Sequence, residues 1–394
     1  MTTSAPGSPA AGTLEAAPAT APAPIATPAL IMAMLDSGKG ISDLVFSPGR
    51  PPQVEKQGQL TAVAMPQLPV LRPQDTARIA GDLIRGNDTA VRTLAEQGAC
   101  DLSYSLPERS RFRVNVFRQR GSFAIVMRVI ASKIPTLPEL NLPAVLADAA
   151  SLKHGIVLVT GPTGSGKSST LAAIIDLINE TRAEHILTIE DPIEFLHQHK
   201  KATVHQRELH SDTPTFAAAL KAALRQAPKV ILVGEMRDRE TIEIALTAAE
   251  TGHLVFSTLH TIDASKTVDR IIGTFEAGDQ QAVRSRLAGS FRYIVSQRLV
   301  PTKSGGRVAV LEILKSTMRT REYLEHGEAQ GKSLLDAMRD GELEGMQYFD
   351  GEIEKLIRNQ IITRAIGLLY ATNQGNLRLQ IADVPPDGEG VNGA

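Results

Sequence analysis

Apolar and polar positions follow two patterns along the chain, and the change falls near residue 147. Before this point, short alternating runs and stretches of helical spacing predict a small α/β domain. The predicted helices are TPALIMAMLDSG and RPQDTARIAGDLIRG, and the predicted strands are SDLVFS, the hairpin PPQVEKQGQLTAV and the pair within RFRVNVFRQRGSFAIVMRVI.

After residue 147, short apolar runs alternate with segments of helical periodicity. The runs are GIVLVT, HILTIE, ATVHQREL, VILVGE and LVFSTLH. Strands separated by helices imply a mostly parallel sheet that is covered on both faces. A further strand, RVAVLEIL, precedes a part with helical periodicity, for example in FDGEIEKLIRNQ.

These changes of pattern divide the chain into six predicted segments. They are a disordered Ala/Pro-rich tail at 1–28, an N-terminal domain at 29–130, a linker at 131–146, the parallel-sheet domain at 147–314, a helical C-terminal part at 315–383 and a flexible tail at 384–394. The first tail has too few apolar residues to build a core. It also lacks the basic start of a signal peptide, because the first lysine is Lys39.

Composition narrows the class of protein. The 394 residues include 42 basic and 43 acidic ones, for a net charge of −1, so the chain does not resemble a general binder of nucleic acid or membrane surfaces. Cys100 is the single cysteine, which excludes a disulfide framework and fits a reducing cytosol. No apolar run approaches the roughly 20 residues that span a bilayer.

The stretch GIVLVTGPTGSGKSSTL contains the pattern G-x-x-x-x-G-K-[ST] between an apolar run and a helix. This pattern is typical of a loop whose backbone N–H groups surround phosphates, with the lysine on the β/γ-phosphates and the hydroxyl on Mg²⁺. We predict ATP and Mg²⁺ as ligands, with Ser168 on the metal. The predicted nucleotide-binding residues are Gly161, Pro162, Thr163, Gly164, Ser165, Gly166, Lys167, Ser168 and Ser169.

Phosphoryl transfer to water also needs acids near the metal and the nucleophile. In VILVGEMRD the strand is followed by Gly234 and Glu235, where many such proteins have an aspartate. The stretch TIEDPIEF provides Glu190 and Glu194 at the end of another strand. Because parallel sheets bind ligands at the carboxyl ends of strands, we predict Glu235 and Glu194 as catalytic acids and Glu235 and Glu190 as metal ligands.

Two histidines flank the apolar strand in GHLVFSTLHT. His260 follows the strand, so we predict that it reaches the phosphate site and contacts a phosphate oxygen or a carboxylate. His253 precedes the strand, and a nucleotide-binding role and a purely local hydrogen bond are both open for it.

Three stretches together are characteristic of one group of proteins: GPTGSGKSST, the acid box IEDPIEF, and VGEMRDRETI followed by TGHLVFSTLHT. On these motifs the chain resembles the secretion ATPase superfamily, and it is most similar to the PilT/PilU retraction motors of type IV pili. Other similar stretches include RFRVNVFRQR, QREL, SQRLVP and GMQYFD, so the resemblance covers about residues 28–382.

The resemblance implies a PAS-like N-terminal domain followed by a RecA-like P-loop ATPase domain with a helical C-terminal part. It implies a cytoplasmic homo-hexamer at the inner face of the cytoplasmic membrane, without direct membrane insertion. The implied partners are an inner-membrane pilus platform protein and, as an option, a paralogous retraction ATPase. Arginines of the first domain contact the phosphates in this family, and the matching candidates are Arg113 and Arg128. For Arg111, Arg118 and Arg120, solvated strand-edge charge is the favoured alternative.

Several functions remain open at this point. RQAP, HQH and QRLVP are closer to the accessory PilU type, and STMRTREYLEHGE departs from the A-[IV]-R-N motif of many retraction ATPases. Assembly and type II secretion ATPases usually have a CxxC…CxxC zinc ribbon, which a single cysteine cannot form. A nucleic-acid translocase would need a basic surface with aromatic residues, whereas aromatic residues make up 4% of this chain.

Overall fold

The computed structural model describes residues 25–385, apart from 57, 108, 131, 132 and 330. Much of each predicted tail and the start of the predicted linker therefore lie outside the described residues. The predicted α/β class is confirmed. The strands form two sheets, one with six strands in the order β3-β2-β1-β6-β5-β4 and one with seven in the order β13-β12-β7-β11-β10-β8-β9.

The six-stranded sheet consists of β1 Ile41–Phe46, β2 Gln53–Lys56, β3 Gln59–Ala62, β4 Ala99–Leu106, β5 Ser110–Gln119 and β6 Ser122–Val129. The seven-stranded sheet consists of β7 Gly155–Thr160, β8 His185–Glu190, β9 Thr203–Glu208, β10 Val230–Val233, β11 Leu254–Leu259, β12 Phe291–Pro301 and β13 Arg307–Lys315.

The first helices are α1 Thr27–Asp36, α2 Pro73–Ile84, α3 Asp88–Gln97, α4 Leu146–Ser151, α5 Lys167–Thr181, α6 Phe216–Ala223 and α7 Arg239–Glu250. They are followed by α8 Ala264–Ile272, α9 Gln280–Ser290, α10 Met318–His326, α11 Leu334–Asp340, α12 Phe349–Arg358, α13 Arg364–Tyr370 and α14 Gln374–Gln380, with a 3₁₀ turn at Glu342–Glu344.

The centre of the seven-stranded sheet is parallel and buried on both faces. All six residues of β7 are buried, as are all six of β11. Their side chains alternate between two cores: Ile156 and Leu158 contribute to one, and Val157 and Val159 to the other. This alternation explains why the strands have continuous apolar sequences instead of the alternating pattern of a half-exposed sheet.

Side-chain caps fix where the helices around this sheet begin. Asp238 accepts a hydrogen bond from the backbone N–H of Thr241 at the start of α7, and Asp263 accepts one from Lys266 at the start of α8. Such caps satisfy donors that the first turn of a helix leaves unpaired. The loops that precede α7 and α8 are thereby held at the carboxyl ends of β10 and β11.

The chain clusters into two compact units. Among the described residues, the first unit comprises those within 25–101 and 114–129, and the second comprises those within 102–113 and 130–385. The predicted domain boundaries stay predictions, as does the PAS-like description of the first domain. In the described part of the chain, no helix combines the length and apolarity needed to cross a membrane.

Candidate nucleotide site

Four neighbouring parallel strands end along one edge of the seven-stranded sheet. Thr160, the last residue of β7, is paired with Leu259 of β11. Val233, the last residue of β10, lies between Ser257 of β11 and Ile189 of β8. The segments that follow these strands contain the predicted P-loop, His260, Glu235 and the acid box. The parallel register therefore brings together motifs that are far apart in sequence.

Two glycines of the P-loop have no room for a side chain. Gly161 has φ 141° and Gly166 has φ 92°, values that disfavour other residues. A Cβ on Gly161 would collide with the carbonyl oxygen of Gln297, and one on Gly166 would lie 2.7 Å from the Gln297 side-chain nitrogen. Glycine is therefore required both for the turn and for the close approach of β12.

The buried amide of Gln297 holds the P-loop against β12. Its Nε2 donates to the carbonyl oxygen of Ser165 at 2.8 Å, and its Oε1 accepts from Oγ1 of Thr170 at 2.8 Å. The neighbouring Ser296 accepts from Oγ1 of Thr160 at 2.9 Å. The sequence analysis did not select these residues, although the interruption of an apolar strand by Ser296 and Gln297 was a usable signal.

Lys167 is buried at the first position of α5. Its ammonium donates to the carbonyl oxygens of Gly161 at 2.8 Å and Pro162 at 3.0 Å. Burial lowers the pKa of Lys167, and the nearby charge of Glu235 acts in the opposite direction. The structure thus places the P-loop lysine and the predicted catalytic acid within electrostatic reach of each other.

The remaining P-loop residues present a polar surface. Pro162, Thr163, Gly164 and Ser168 are exposed, and Ser169 is half-buried. Ser165 is buried, and its Oγ is without a hydrogen-bond partner in the described part of the chain. A glycine-lined loop, an unpaired hydroxyl and a helix that begins at Lys167 fit a bound phosphate group.

Glu235 follows β10 and lies beside two basic side chains. Its Oε1 is 2.5 Å from Nε of Arg237 and 3.7 Å from Nε2 of His260. The sequence analysis did not select Arg237, but the structure places it against the predicted catalytic acid. The bond to Glu235 raises the pKa of Arg237 further above its ordinary value.

The structure also explains the glycine that precedes Glu235. A Cβ on Gly234 would lie 3.1 Å from the carbonyl oxygen of Ile189 and 3.3 Å from Cα of Glu190. The backbone N–H of Gly234 donates to that same carbonyl at 2.7 Å. Close approach of β8 and β10 thus leaves little room for the aspartate that is common at this position, and the acid comes one residue later.

The two histidines of the β11 region lie at opposite ends of the strand. His260 is half-exposed near Glu235, as predicted. His253 precedes the strand, and its Nδ1 lies 2.9 Å from the carbonyl oxygen of Ala248 in α7. Six residues of strand, about 20 Å, separate it from the P-loop edge. The ring bonds at the end of α7, which fits the local hydrogen bond that the sequence left open for His253, and its nucleotide-binding role stays a prediction.

The acid box contains one half-buried carboxyl group and two exposed ones. Glu190 Oε1 accepts from Oγ1 of Thr188 at 2.6 Å and from Nε2 of Gln206 at 3.1 Å. Burial raises the pKa of Glu190, whereas these hydrogen bonds lower it. Asp191 and Glu194 are exposed. The described residues contain no cluster of three or more His, Cys, Asp or Glu side chains able to hold a metal.

The predicted phosphate-binding arginines differ in their surroundings. Arg113 is exposed on β5. Arg128 belongs to the first unit, where its Nε lies 3.0 Å from Oδ1 of the buried Asp43. Arg111, for which strand-edge charge was the alternative, belongs to the second unit and pairs with the buried Glu208 at 3.1 Å. A solvated strand-edge role for Arg111 is therefore wrong.

A parallel α/β sheet with a glycine-rich loop, a buried lysine and a facing acid defines a P-loop nucleoside triphosphatase. The family model for type II/IV secretion system proteins matches residues 77–366. The chain is 44% identical over 326 residues to the type IV pilus retraction ATPase PilT of Pseudomonas aeruginosa, which covers 83% of this chain and 93% of that protein. It is 40% identical over 344 residues to the type IV pilus ATPase PilU of the same organism, covering 87% and 88%.

A crystal structure of the pilus retraction motor PilT with bound ADP is similar to the model, with a TM-score of 0.77 and 40% identity over 87% of this chain and 96% of that one. The chain therefore belongs to the type II/IV secretion system protein family, within its group of pilus retraction ATPases. It is an ATPase that uses an adenine nucleotide, and the predicted family and enzyme class are confirmed.

Proposed function

We propose that this chain is a motor that hydrolyses ATP to drive retraction of a type IV pilus, and with it twitching motility. The observation that supports this function is the P-loop site, in which the buried Lys167 lies within electrostatic reach of Glu235. The likeness to PilT along most of the chain supports pilus retraction as the work that the hydrolysis performs.

We call the edge along which β7, β11, β10 and β8 end the carboxyl edge of the seven-stranded sheet. Its residues have distinct proposed roles. Backbone N–H groups of the P-loop and Lys167 bind the phosphates, and Ser168, Glu235 and Glu190 would hold Mg²⁺, which would neutralise phosphate charge. Glu235 orients the attacking water and accepts its proton, with Glu194 as the alternative acid. His260 contacts Glu235 or a phosphate oxygen and responds to the presence of the γ-phosphate.

Arg113 and Arg128 are the proposed arginines that neutralise charge on the γ-phosphate in the transition state. Replacing either by alanine should lower turnover strongly with a modest loss of nucleotide affinity. Steady-state ATP hydrolysis beside binding of a fluorescent ADP analogue would separate the two effects. Full turnover in both variants would exclude this role.

The proposed working form is a homo-hexamer at the cytoplasmic face of the inner membrane, in contact with a pilus platform protein. The proposal rests on the family, because its motors convert domain closure around each nucleotide into sequential movements between neighbouring subunits of the ring. Light scattering on the full chain with and without ATP tests it. A protein that hydrolyses ATP at its full rate as a dilute monomer would contradict a ring.

A deletion strain tests the cellular function. Loss of a retraction motor should leave cells that carry excess pili and cannot twitch, and the Lys167→Ala gene should not restore twitching. Cells without pili would instead indicate an assembly ATPase.

Accessory retraction, as in PilU, is the second candidate. The similarity to PilU extends over 87% of the chain, which supports it. A motor of this type should leave retraction partly intact when deleted and should lose its effect when a second retraction ATPase is absent. Retraction by this chain in a strain without any other retraction ATPase would exclude a purely accessory role.

A further inference from the structure

The acid box continues into a loop that lacks a helix. Residues 191–202 connect β8 to β9, and they contain the exposed Asp191 and Glu194. Backbone ladders do not fix the position of such a loop, so side-chain bonds from the surrounding elements must do so. Two polar residues of the edge strand β9, Gln206 and Glu208, provide the bonds nearest the acid box, while Asn179 of α5 bonds to Gln198 and Lys200 farther along the loop.

The amide of Gln206 contacts the acid-box region at three points. Its Oε1 accepts from the backbone N–H of His197 at 2.8 Å. Its Nε2 donates to the carbonyl oxygen of Phe195 at 2.9 Å and to Oε1 of Glu190 at 3.1 Å. One side chain therefore connects the acid at the end of β8 with the far part of the loop.

Glu208 holds the middle of the same loop. Its carboxylate is buried, and Oε2 accepts from the backbone N–H of Ile193 at 3.0 Å. Gln206 and Glu208 lie two residues apart, so they occupy the same face of β9. Together they bond to loop positions on both sides of the exposed Glu194.

A buried ion pair supports this arrangement. The guanidinium of Arg111 donates to Oε2 of Glu208 at 3.1 Å, and its side chain is 20% exposed against 4% for Glu208. A buried carboxylate without its partner is costly, because its charge is left uncompensated. Arg111 thus gives the buried Glu208 side chain a charged partner at the point where the loop needs an acceptor.

We infer that Gln206 and Glu208 are positioning residues for ATP hydrolysis, which set the place of the acid box relative to the P-loop edge of the sheet. This inference rests on the proposed function of the carboxyl edge. The geometry distinguishes it from simple loop anchoring, because Gln206 bonds to the carboxylate of Glu190 itself as well as to the backbone.

The first test replaces Gln206 by the nearly isosteric glutamate. The variant keeps an acceptor for His197 but loses the amide donor that bonds to Glu190 and to the carbonyl oxygen of Phe195. We expect kcat to fall about tenfold while KM for ATP changes by less than about threefold. Binding of a fluorescent ADP analogue should stay within about threefold of the wild type.

The matched control is Thr203→Ala, an exposed position on the same strand, which should keep the wild-type kcat and KM. Thermal unfolding of each variant checks that it is folded. Gln206→Leu provides a second variant without added charge, and it should lower kcat without reducing nucleotide binding.

The second test concerns the ion pair. Glu208→Gln leaves Arg111 without a charged partner and should lower kcat several-fold, and adding Arg111→Met should restore part of the loss. A folded Gln206→Glu variant with the wild-type kcat, or a Glu208→Gln variant with unchanged kcat, would overturn the inference. Absence of ATP hydrolysis in the wild-type protein would instead count against the proposed function.

Discussion

The seven-stranded sheet has an amino edge, where its parallel strands begin, and a carboxyl edge, where they end. Polar side chains at these two edges differ in the partners they bond to. At the amino edge, His253 bonds to a backbone carbonyl of α7, and Arg292 donates to the backbone carbonyls of Gly289 and Phe291 and pairs with His154. At the carboxyl edge, Lys167, Glu235 and His260 lie near one another, and the hydroxyl of Ser165 has no partner among the described atoms.

The difference shows how a structural polar group can be separated from a functional one. Groups at the amino edge satisfy the ends of helices and strands, so their substitution should affect stability. Groups at the carboxyl edge keep charge and hydrogen-bonding capacity that a ligand can use. Each prediction below compares a residue of the carboxyl edge with a control that shares its chemistry.

Lys167→Ala should have the largest effect, a loss of ATP turnover of at least about 100-fold, because the substitution removes the positive charge closest to the phosphates. Steady-state ATP hydrolysis measures it. The control is Lys153→Ala. Lys153 is an exposed lysine just before β7, at the amino edge, whereas Lys167 follows β7 at the carboxyl edge. Equal activity of the two variants would contradict the assignment of functional groups to the carboxyl edge and structural groups to the amino edge.

Glu235→Gln should lower turnover by about 100-fold while nucleotide binding is retained, because an amide of nearly the same shape cannot accept a proton from water. Single-turnover hydrolysis and binding of a fluorescent ADP analogue measure the two properties. Glu240→Gln, an exposed change in α7, is the control. If turnover in Glu235→Gln remains within a few-fold of the wild type, Glu194 becomes the first alternative acid.

The two histidines should separate activity from stability. His260→Ala should lower turnover about tenfold, because it removes the ring that lies 3.7 Å from Oε1 of the proposed catalytic acid Glu235, with little change in stability. His253→Ala should keep turnover and lower the free energy of unfolding by about 1 kcal/mol. Activity assays and chemical denaturation of both variants measure this difference, and a loss of turnover in His253→Ala would contradict it.

The last prediction concerns the pH dependence of stability and the support of the loop that contains His260. Glu312 is buried and accepts the backbone N–H of Ala264 at 2.7 Å, at the start of α8. The pKa of Glu312 is raised from an ordinary value near 4.5 to about 7, chiefly by burial. The hydrogen bond from Ala264 and the charge of Arg298 lower this pKa, whereas the charges of Asp263 and Asp350 raise it.

The folded state therefore binds the Glu312 proton more tightly than the unfolded state does. This contributes up to about 3 kcal/mol of stability below about pH 4.5, which is lost as the pH rises through about 7. Glu312→Gln should flatten the dependence of Tm on pH over this interval, and the exposed Glu322→Gln should not. An unchanged slope in Glu312→Gln would show that other groups dominate.

The sequence by itself determined the class of the ATPase domain and the position of its phosphate loop. Continuous apolar runs separated by helical segments predicted a parallel sheet, because strands buried on both faces need apolar side chains at every position. The motif at 161–168 required no tertiary information, since its glycines, lysine and serine are adjacent in sequence. The predicted acid Glu235 followed from its place after a buried strand.

Tertiary structure alone decided which distant polar residues meet. The sequence offered His253 and His260 as a pair, but strand direction sends them to opposite edges of the sheet. Gln297 supports the P-loop from 132 residues beyond Ser165, and Arg111 pairs with Glu208 across 97 positions. Side-chain partners at such separations depend on strand order and register, which the periodicity of each strand does not encode.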